Sequence, residues 1–424
     1  MDASRPSPLP GRLRGVLAAL RSLEPHARAC WFYDLDALVE RAERFRRAFA
    51  ELEPLTAYAL KANALPALLE SLCASGIGAE AGSLGELELA AAAGYPPASC
   101  VLNGNGRTPE EADWAASHGV HSVNADHIEE LDLLERAAAR AGRPLRVALR
   151  VNPGIEAGVH PYVATGHGEA KFGVSPEDAL EAWAARARWP HLALDGIHVH
   201  VGSQLLEADP LERAAALALE LAEAAARRGA ALGLVNLGGG FGIDYAGSGA
   251  DFPLEAHARS LAGRARGLGL DWVLEPGRWL VAPVGALVSE VLWVKRRDGR
   301  RCVVLAAGLT DLIRPALYGA RHRAGPLAPR AGPVEPAYLV GPVCESADVF
   351  AEDVPLPPLE PGDELAILDA GAYGASMSSN YNGRGRLAEI VQRGGQRFRA
   401  RAGEVPADLL ARRRWDALEP GRSR

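Results

Sequence analysis

From Trp31 to about Val284, short apolar runs alternate with longer Ala/Leu/Glu/Arg stretches of helical period. Residues 57–60 read as a strand and 65–74 as the helix after it, and residues 76–79 open the next strand, with a helix at 85–93. The same alternation recurs at 100–102, 121–123, 145–151, 194–201, 234–237 and 272–274, and 211–228 is a helix of Ala and Leu with interspersed Glu and Arg. Counted from Ala57, this makes roughly eight β/α units in about 250 residues, which predicts a TIM-like (β/α)8 barrel over 31–284. Beyond residue 284 the pattern changes. Runs at 284–293, 302–305, 338–343 and 364–368 look like strands, long helical patterns are missing, and a Pro- and Gly-rich stretch fills 355–362. A C-terminal, mostly-β domain over 285–395 is predicted, with residues 1–30 packing against it and an Arg-rich, solvated tail over 396–424.

Length and composition narrow the class. At 424 residues the chain exceeds one small core, and 48% hydrophobic with 23% charged residues is ordinary for a folded protein. A net charge of -7 leaves no electrostatic footprint for nucleic acid or an anionic membrane. No apolar run approaches the ~20 residues needed to cross a bilayer. The first fifteen residues lack the apolar centre of a secretory signal. Five scattered cysteines without CxxC spacing fit a reducing, cytoplasmic setting and argue against structural zinc.

In a (β/α)8 barrel, chemistry gathers at the C-terminal ends of the strands. Lys61 follows such a strand, and alone it reads as a surface lysine. Gly238-Gly239-Gly240 follows another; glycines let backbone N–H groups close on an anion. The spacing lacks GxGxxG, so a single phosphate fits better than a dinucleotide, with a plain tight turn as the alternative. Glu275-Pro276-Gly277-Arg278 follows the last strand, where such barrels commonly bind phosphate. Glu275 either pairs with Arg278 or faces a pyridine nitrogen and keeps it protonated. His198 and His200 alternate, which on a strand puts both on one face. With no third ligand pattern, they read as stacking or hydrogen-bonding groups, and no metal is expected.

Tyr58-Ala-Leu-Lys61-Ala-Asn63, His198-Val-His200-Val-Gly-Ser203, Gly238-Gly-Gly240-Phe and Glu275-Pro-Gly-Arg278 occur in the order and spacing of the fold-type III pyridoxal-phosphate decarboxylases. The chain resembles that family from about Trp31 to Glu389, and within it the diaminopimelate decarboxylases. Arg150-Val-Asn-Pro153, His160-Pro-Tyr162, Thr165-Gly166, Lys171-Phe-Gly173, Asp311 to Tyr318, Gly341 to Ser346 and Gly371 to Asn382 carry the closer likeness. The resemblance implies an enzyme with pyridoxal 5'-phosphate held as a Schiff base on Lys61. His200 would stack on the ring. Ser203, Gly238, Gly239, Gly240 and the backbone of Gly277 and Arg278 would hold the phosphate, and Glu275 would pair with the ring nitrogen. Tyr373 would lie beside cofactor and substrate. Cys344 would donate a proton from the partner subunit of a homodimer. Arg278, Arg314 and Tyr318 would grip a distal carboxylate and Glu345 a distal ammonium. That combination points to meso-diaminopimelate, giving L-lysine and CO2.

Some positions depart from the family pattern. Glu80 stands for the usual aspartate, Ala306 to Thr310 and Gly383 to Leu387 differ, and Arg321 replaces an aromatic residue. They leave two other readings open. One is a specialised paralogue acting on a related or carrier-linked amino acid. The other is a cofactor-binding regulator without turnover.

Overall fold

A computed structural model describes residues 11–155 and 172–411. The motifs at 160–166 and Lys171 lie outside the described residues. A closed barrel of eight parallel strands forms the larger part. In order these are β2 (Leu55–Ala59), β3 (Gly78–Ala81), β4 (Cys100–Leu102), β5 (Ser122–Ala125), β6 (Leu145–Arg150), β7 (Leu192–His198), β8 (Leu234–Asn236) and β9 (Asp271–Leu274). All eight predicted barrel strands are present, 100–102 with its predicted bounds and the others shifted by a residue or a few. The strands are almost entirely buried on both faces, which is why they read as apolar runs rather than as alternation. Ala57, Val101, Ala148, Leu234 and Val273 form their own cluster, a plug of side chains in the barrel. Packing there is tight. A Cβ on Gly196 would come within 2.7 Å of the Ala148 Cβ.

The helices between strands carry ordinary start signals. Pro109–His118 opens on Thr108, whose hydroxyl takes the Glu111 N–H while the Glu111 side chain takes the Thr108 N–H. After β9 only a four-residue helix, Arg278–Val281, follows. The helix Leu35–Ala48, which precedes the barrel, packs against the helices Pro66–Ala74 and Leu254–Ala265 and fills the gap in the helical ring.

Among the described residues, nine strands make a second sheet. It comprises β1 (Ala29–Asp34), β10 (Gly285–Arg297), β11 (Arg300–Leu305), β12 (Ala324–Pro326), β13 (Glu335–Val340), β14 (Val349–Leu356), β15 (Glu364–Ile367), β16 (Ala388–Arg393) and β17 (Gln396–Arg401). The sheet corrects two predicted boundaries. Trp31 lies on β1, which runs antiparallel to β10 and parallel to β16, so residues 29–34 belong to the sheet and the barrel's own strands begin at Leu55. Residues 396–401 form β17, paired on the edge of β16, so the sheet extends into the predicted tail while its side chains stay mostly exposed. Alternation of apolar residues cannot tell a barrel strand from a sheet strand when both are buried. Leu13, Val16, Leu17 and Leu20 pack on the sheet residues Phe32, Val288 and Ile390.

Candidate active site

Each barrel strand delivers a polar side chain to one mouth: Lys61 after β2, Glu80 on β3, Asn103 after β4, Asn124 on β5, Arg150 on β6, His198 on β7, Asn236 on β8 and Glu275 after β9. A cavity of about 360 Å³ opens there. Of the residues singled out in the sequence, Lys61, His200, Ser203, Gly239, Gly240, Glu275, Gly277, Arg278, Arg314, Tyr318 and Tyr373 line it.

Lys61 sits in a short helical turn, Leu60–Ala62, rather than at a strand end. Its Nζ lies 3.1 Å from Glu80 Oε2. The side chain keeps 55% of its surface open to the cavity. Burial opposes its charge, but Glu80, Tyr373 and Glu275 outweigh that and hold the amine protonated.

Glu275 is buried beneath three asparagines. Asn236 donates to it at 2.7 Å, Asn103 at 3.1 Å and Asn124 at 3.3 Å. It makes no pair with Arg278, so that sequence-level alternative is set aside. Asn103 also donates to Glu80 at 2.8 Å, tying two buried carboxyls to one amide. Burial, then the neighbouring Glu80, push the Glu275 carboxyl up to about 7, while Lys61 and the amides pull it down. The sign follows from linkage. Below the usual carboxyl range both folded and unfolded chains carry the proton. Between that range and about 7 only the unfolded chain ionises, so the cofactor-free protein loses stability as pH rises through that window. Urea melts of cofactor-free protein from pH 5 to 8 should show this decline, and Glu275→Gln should flatten it.

The paired histidines do not share a strand. β7 ends at His198, and His200 follows it in the loop, yet both rings line the cavity. His200 Nδ1 accepts the Gly239 N–H at 3.3 Å. Burial, with Arg150 and Lys61 nearby, pushes the His200 ring down to about 3, so it is neutral. His198 is likewise held neutral by burial.

The glycine turn is shaped by close approach. Gly238 and Gly240 have φ of 63° and 111°, and a Cβ on Gly239 would lie 2.2 Å from the Glu275 carbonyl. Gly238 does not line the cavity; a Cβ there would meet the His200 ring at 2.6 Å, so it makes room for that ring. The Gly240 N–H has no acceptor among the described residues. Nearby, Arg278 donates to Ser203 Oγ at 3.0 Å and to the Tyr245 hydroxyl at 2.9 Å, and stacks over Tyr373 at 4.8 Å. Tyr373 adopts φ 56°, a left-handed conformation fixed by its N–H to the Ala62 carbonyl.

Arg314 enters from the sheet side. Its Nη1 donates to Tyr245 at 3.0 Å and to His322 Nε2 at 2.9 Å. The Nε atoms of Arg278 and Arg314 are both buried without a partner among the described residues. Two buried guanidinium groups with unused donors demand an anion.

Cys344 and Glu345 lie elsewhere. Both are exposed, on a loop whose base Asp348 ties down by accepting the N–H groups of Leu309 and Val343. Neither lines the cavity of its own chain. Glu345 accepts the Tyr381 hydroxyl instead.

A basic lysine beside a buried carboxyl, a neutral histidine ring, an open glycine cradle and unpaired guanidinium donors fit a phosphorylated pyridine aldehyde. Residues 35–282 match the pyridoxal-binding domain of the pyridoxal-dependent decarboxylases. The chain belongs to that family. Pyridoxal phosphate is accordingly its cofactor, and it is an amino-acid decarboxylase. Diaminopimelate decarboxylase of Neisseria meningitidis is 40% identical over 89% of this chain and 92% of its own length. That of Zymomonas mobilis is 37% identical over 90% and 91%. The crystal structure of the Helicobacter pylori diaminopimelate decarboxylase complexed with L-lysine superposes with a TM-score of 0.88 at 35% identity, over 93% of this chain and 98% of that one. Among the described residues, no helix of this pyridoxal-dependent decarboxylase is long and apolar enough to cross a membrane.

Sequence reasoning passed over Asn124, Asn236 and Tyr245. The two asparagines lie within the buried runs of β5 and β8, where a polar residue between apolar ones was the available signal. Tyr245 follows the glycine turn by five residues and gave none.

Proposed function

We propose that this decarboxylase converts meso-diaminopimelate to L-lysine and CO2, in the cytoplasm, as a homodimer. The observation that carries the reading is the pair of buried arginines, Arg278 and Arg314, each with an unpartnered Nε at or beside the cavity. Ornithine or lysine as substrate would leave these cations buried and unpaired, which is costly. A distal carboxylate satisfies them, and the relatives named for diaminopimelate support the same choice.

When bound, pyridoxal phosphate supplies the electron sink that loss of an α-carboxylate requires. Lys61 would hold it covalently, and Glu80, 3.1 Å from the Lys61 amine, would keep that amine charged and in place when free. Glu275 would face the ring nitrogen, where its carboxylate would keep that nitrogen protonated. His200 would stack on the ring, and Ser203, Gly239, Gly240 and Gly277 would hold the phosphate. Tyr373 would lie beside cofactor and substrate.

Arg278, Arg314 and Tyr318 bind the distal carboxylate. Cys344 Sγ returns the proton to the α carbon and Glu345 takes the distal ammonium. Both belong to an exposed loop outside the cavity of their own chain, so a second copy must deliver them.

CO2 release should be measured on meso-, D,D- and L,L-diaminopimelate, L-lysine and L-ornithine. Turnover of meso-diaminopimelate at least about 10²-fold above lysine in kcat/KM is expected, because an unpaired buried charge is heavily penalised. Arg314→Lys should raise its KM by about 10- to 50-fold with a smaller effect on kcat, since lysine cannot make the two-toothed contact. Turnover confined to another amino acid would favour a paralogue. An absorbing cofactor without CO2 from any substrate would favour a regulator.

A further inference from the structure

Arg314 can present only one edge to a ligand. Its Nη1 is fully engaged: one N–H goes to the Tyr245 hydroxyl at 3.0 Å and one to His322 Nε2 at 2.9 Å. Nε is buried and unpartnered, and Nη2 has no partner among the described residues. In a guanidinium, Nε–H and the Nη2–H on its side point the same way, the geometry that matches the two oxygens of a carboxylate.

His322 and Tyr245 are themselves fixed. His322 Nδ1 donates to the Leu368 carbonyl at 2.9 Å, which leaves Nε2 as the acceptor that Arg314 needs. Burial and the facing Arg314 push this ring down to about 3, so it stays neutral. Tyr245 packs edge-on to His322 with ring centroids 5.0 Å apart. Its hydroxyl accepts from Arg278 at 2.9 Å as well as from Arg314. Tyr245 does not line the cavity. It rides on a turn closed by Asp244, which accepts the N–H groups of Ala246, Gly247 and Gly249.

One oxygen therefore holds two like charges close together, and a histidine from the sheet side locks the second. We infer that Tyr245 and His322 are specificity-determining positioning residues: together they set the distance between Arg278 and Arg314 and turn the Nε/Nη2 edge of Arg314 toward a distal carboxylate. This rests on the distal-carboxylate reading above. The two residues touch neither cofactor nor reacting atoms; they act through the arginines.

The test uses holoenzyme and two probes that are not turned over. Pimelate carries the carboxylates without amines, and cadaverine carries the amines without carboxylates. Calorimetry should find pimelate binding weakened about tenfold by Tyr245→Phe, which removes one acceptor shared by two charged donors. Cadaverine binding and the cofactor absorbance should be unchanged. KM for meso-diaminopimelate should rise by a similar factor while kcat falls less than about threefold. His322→Leu should repeat the loss, and His322→Gln, which keeps an acceptor near the Nε2 position, should restore most of it. Equal weakening of both probes, or no change for pimelate, overturns the inference. Arg314→Lys separates the two levels. If it too leaves pimelate binding intact, the distal-carboxylate reading fails. If it weakens pimelate while Tyr245→Phe does not, only the positioning role fails.

Discussion

Lys61→Ala is expected to remove the absorbance near the visible edge and to lower kcat by more than about 10³-fold, through loss of covalent attachment. Among the described residues Lys61 is the one lysine of the cavity wall, and Glu80 at 3.1 Å is built to hold its amine. The fold should survive the substitution, because the side chain is half open to the cavity and its neighbours Leu60 and Ala62 carry the packing, but stability should fall as the buried Glu80 loses its cation. Borohydride treatment followed by mass spectrometry gives the direct readout. Wild type gains a fixed cofactor mass on the peptide containing Lys61, and the variant gains none. A variant that still fixes the cofactor would displace Lys61 from its role. The same variant tests whether sites are shared. Mixed with Cys344→Ala, it should recover about a quarter of wild-type activity after subunit exchange, because half the dimers then hold one site with both native residues. Continued inactivity would mean that Cys344 does not cross between copies.

The second large effect belongs to Glu275. Glu275→Gln should leave the cofactor bound and absorbing but lower kcat by about 10²–10³-fold, the size expected when a preorganised charge facing the reacting system is removed. The fold should accept the change. Asn236, Asn124 and Asn103 all reach Oε1, so glutamine can keep its oxygen there and place its amide at the other position, where Asn103 gives up the second of its two bonds. The shape survives while the proton on the ring nitrogen loses its partner. A loss of less than tenfold, with cofactor fully bound, would remove Glu275 from that position.

The barrel was legible because strands buried on both faces leave uninterrupted apolar runs, and the helices between them keep their period. Strand ends were legible as places where glycine, histidine and lysine interrupt those runs, which is how Lys61, Glu275 and the Gly238–Gly240 turn came into view. Three things were not. Trp31 belongs to β1 of the sheet, because its partners lie more than 250 residues away and no local pattern encodes them. His200 left the strand because pairing with β8 ends at His198. The hydroxyl that joins Arg278 to Arg314 comes from Tyr245, on a loop that precedes both in sequence, so their meeting is a product of the tertiary fold alone.

The place of β1 also has a consequence for how the protein is made. Its residues leave the ribosome well before those of its neighbours in the sheet, β10 and β16, which start at Gly285 and Ala388. At roughly 5–20 residues per second, a nascent chain carries this apolar strand unpaired for many seconds while the whole barrel is synthesised. Cys30, Trp31, Phe32 and Tyr33, all buried at the end, are exposed throughout that interval. The pairing of β1 thus waits on strands made more than 250 residues later, and a truncated product that stops after the barrel would retain a sticky edge with nothing to cover it.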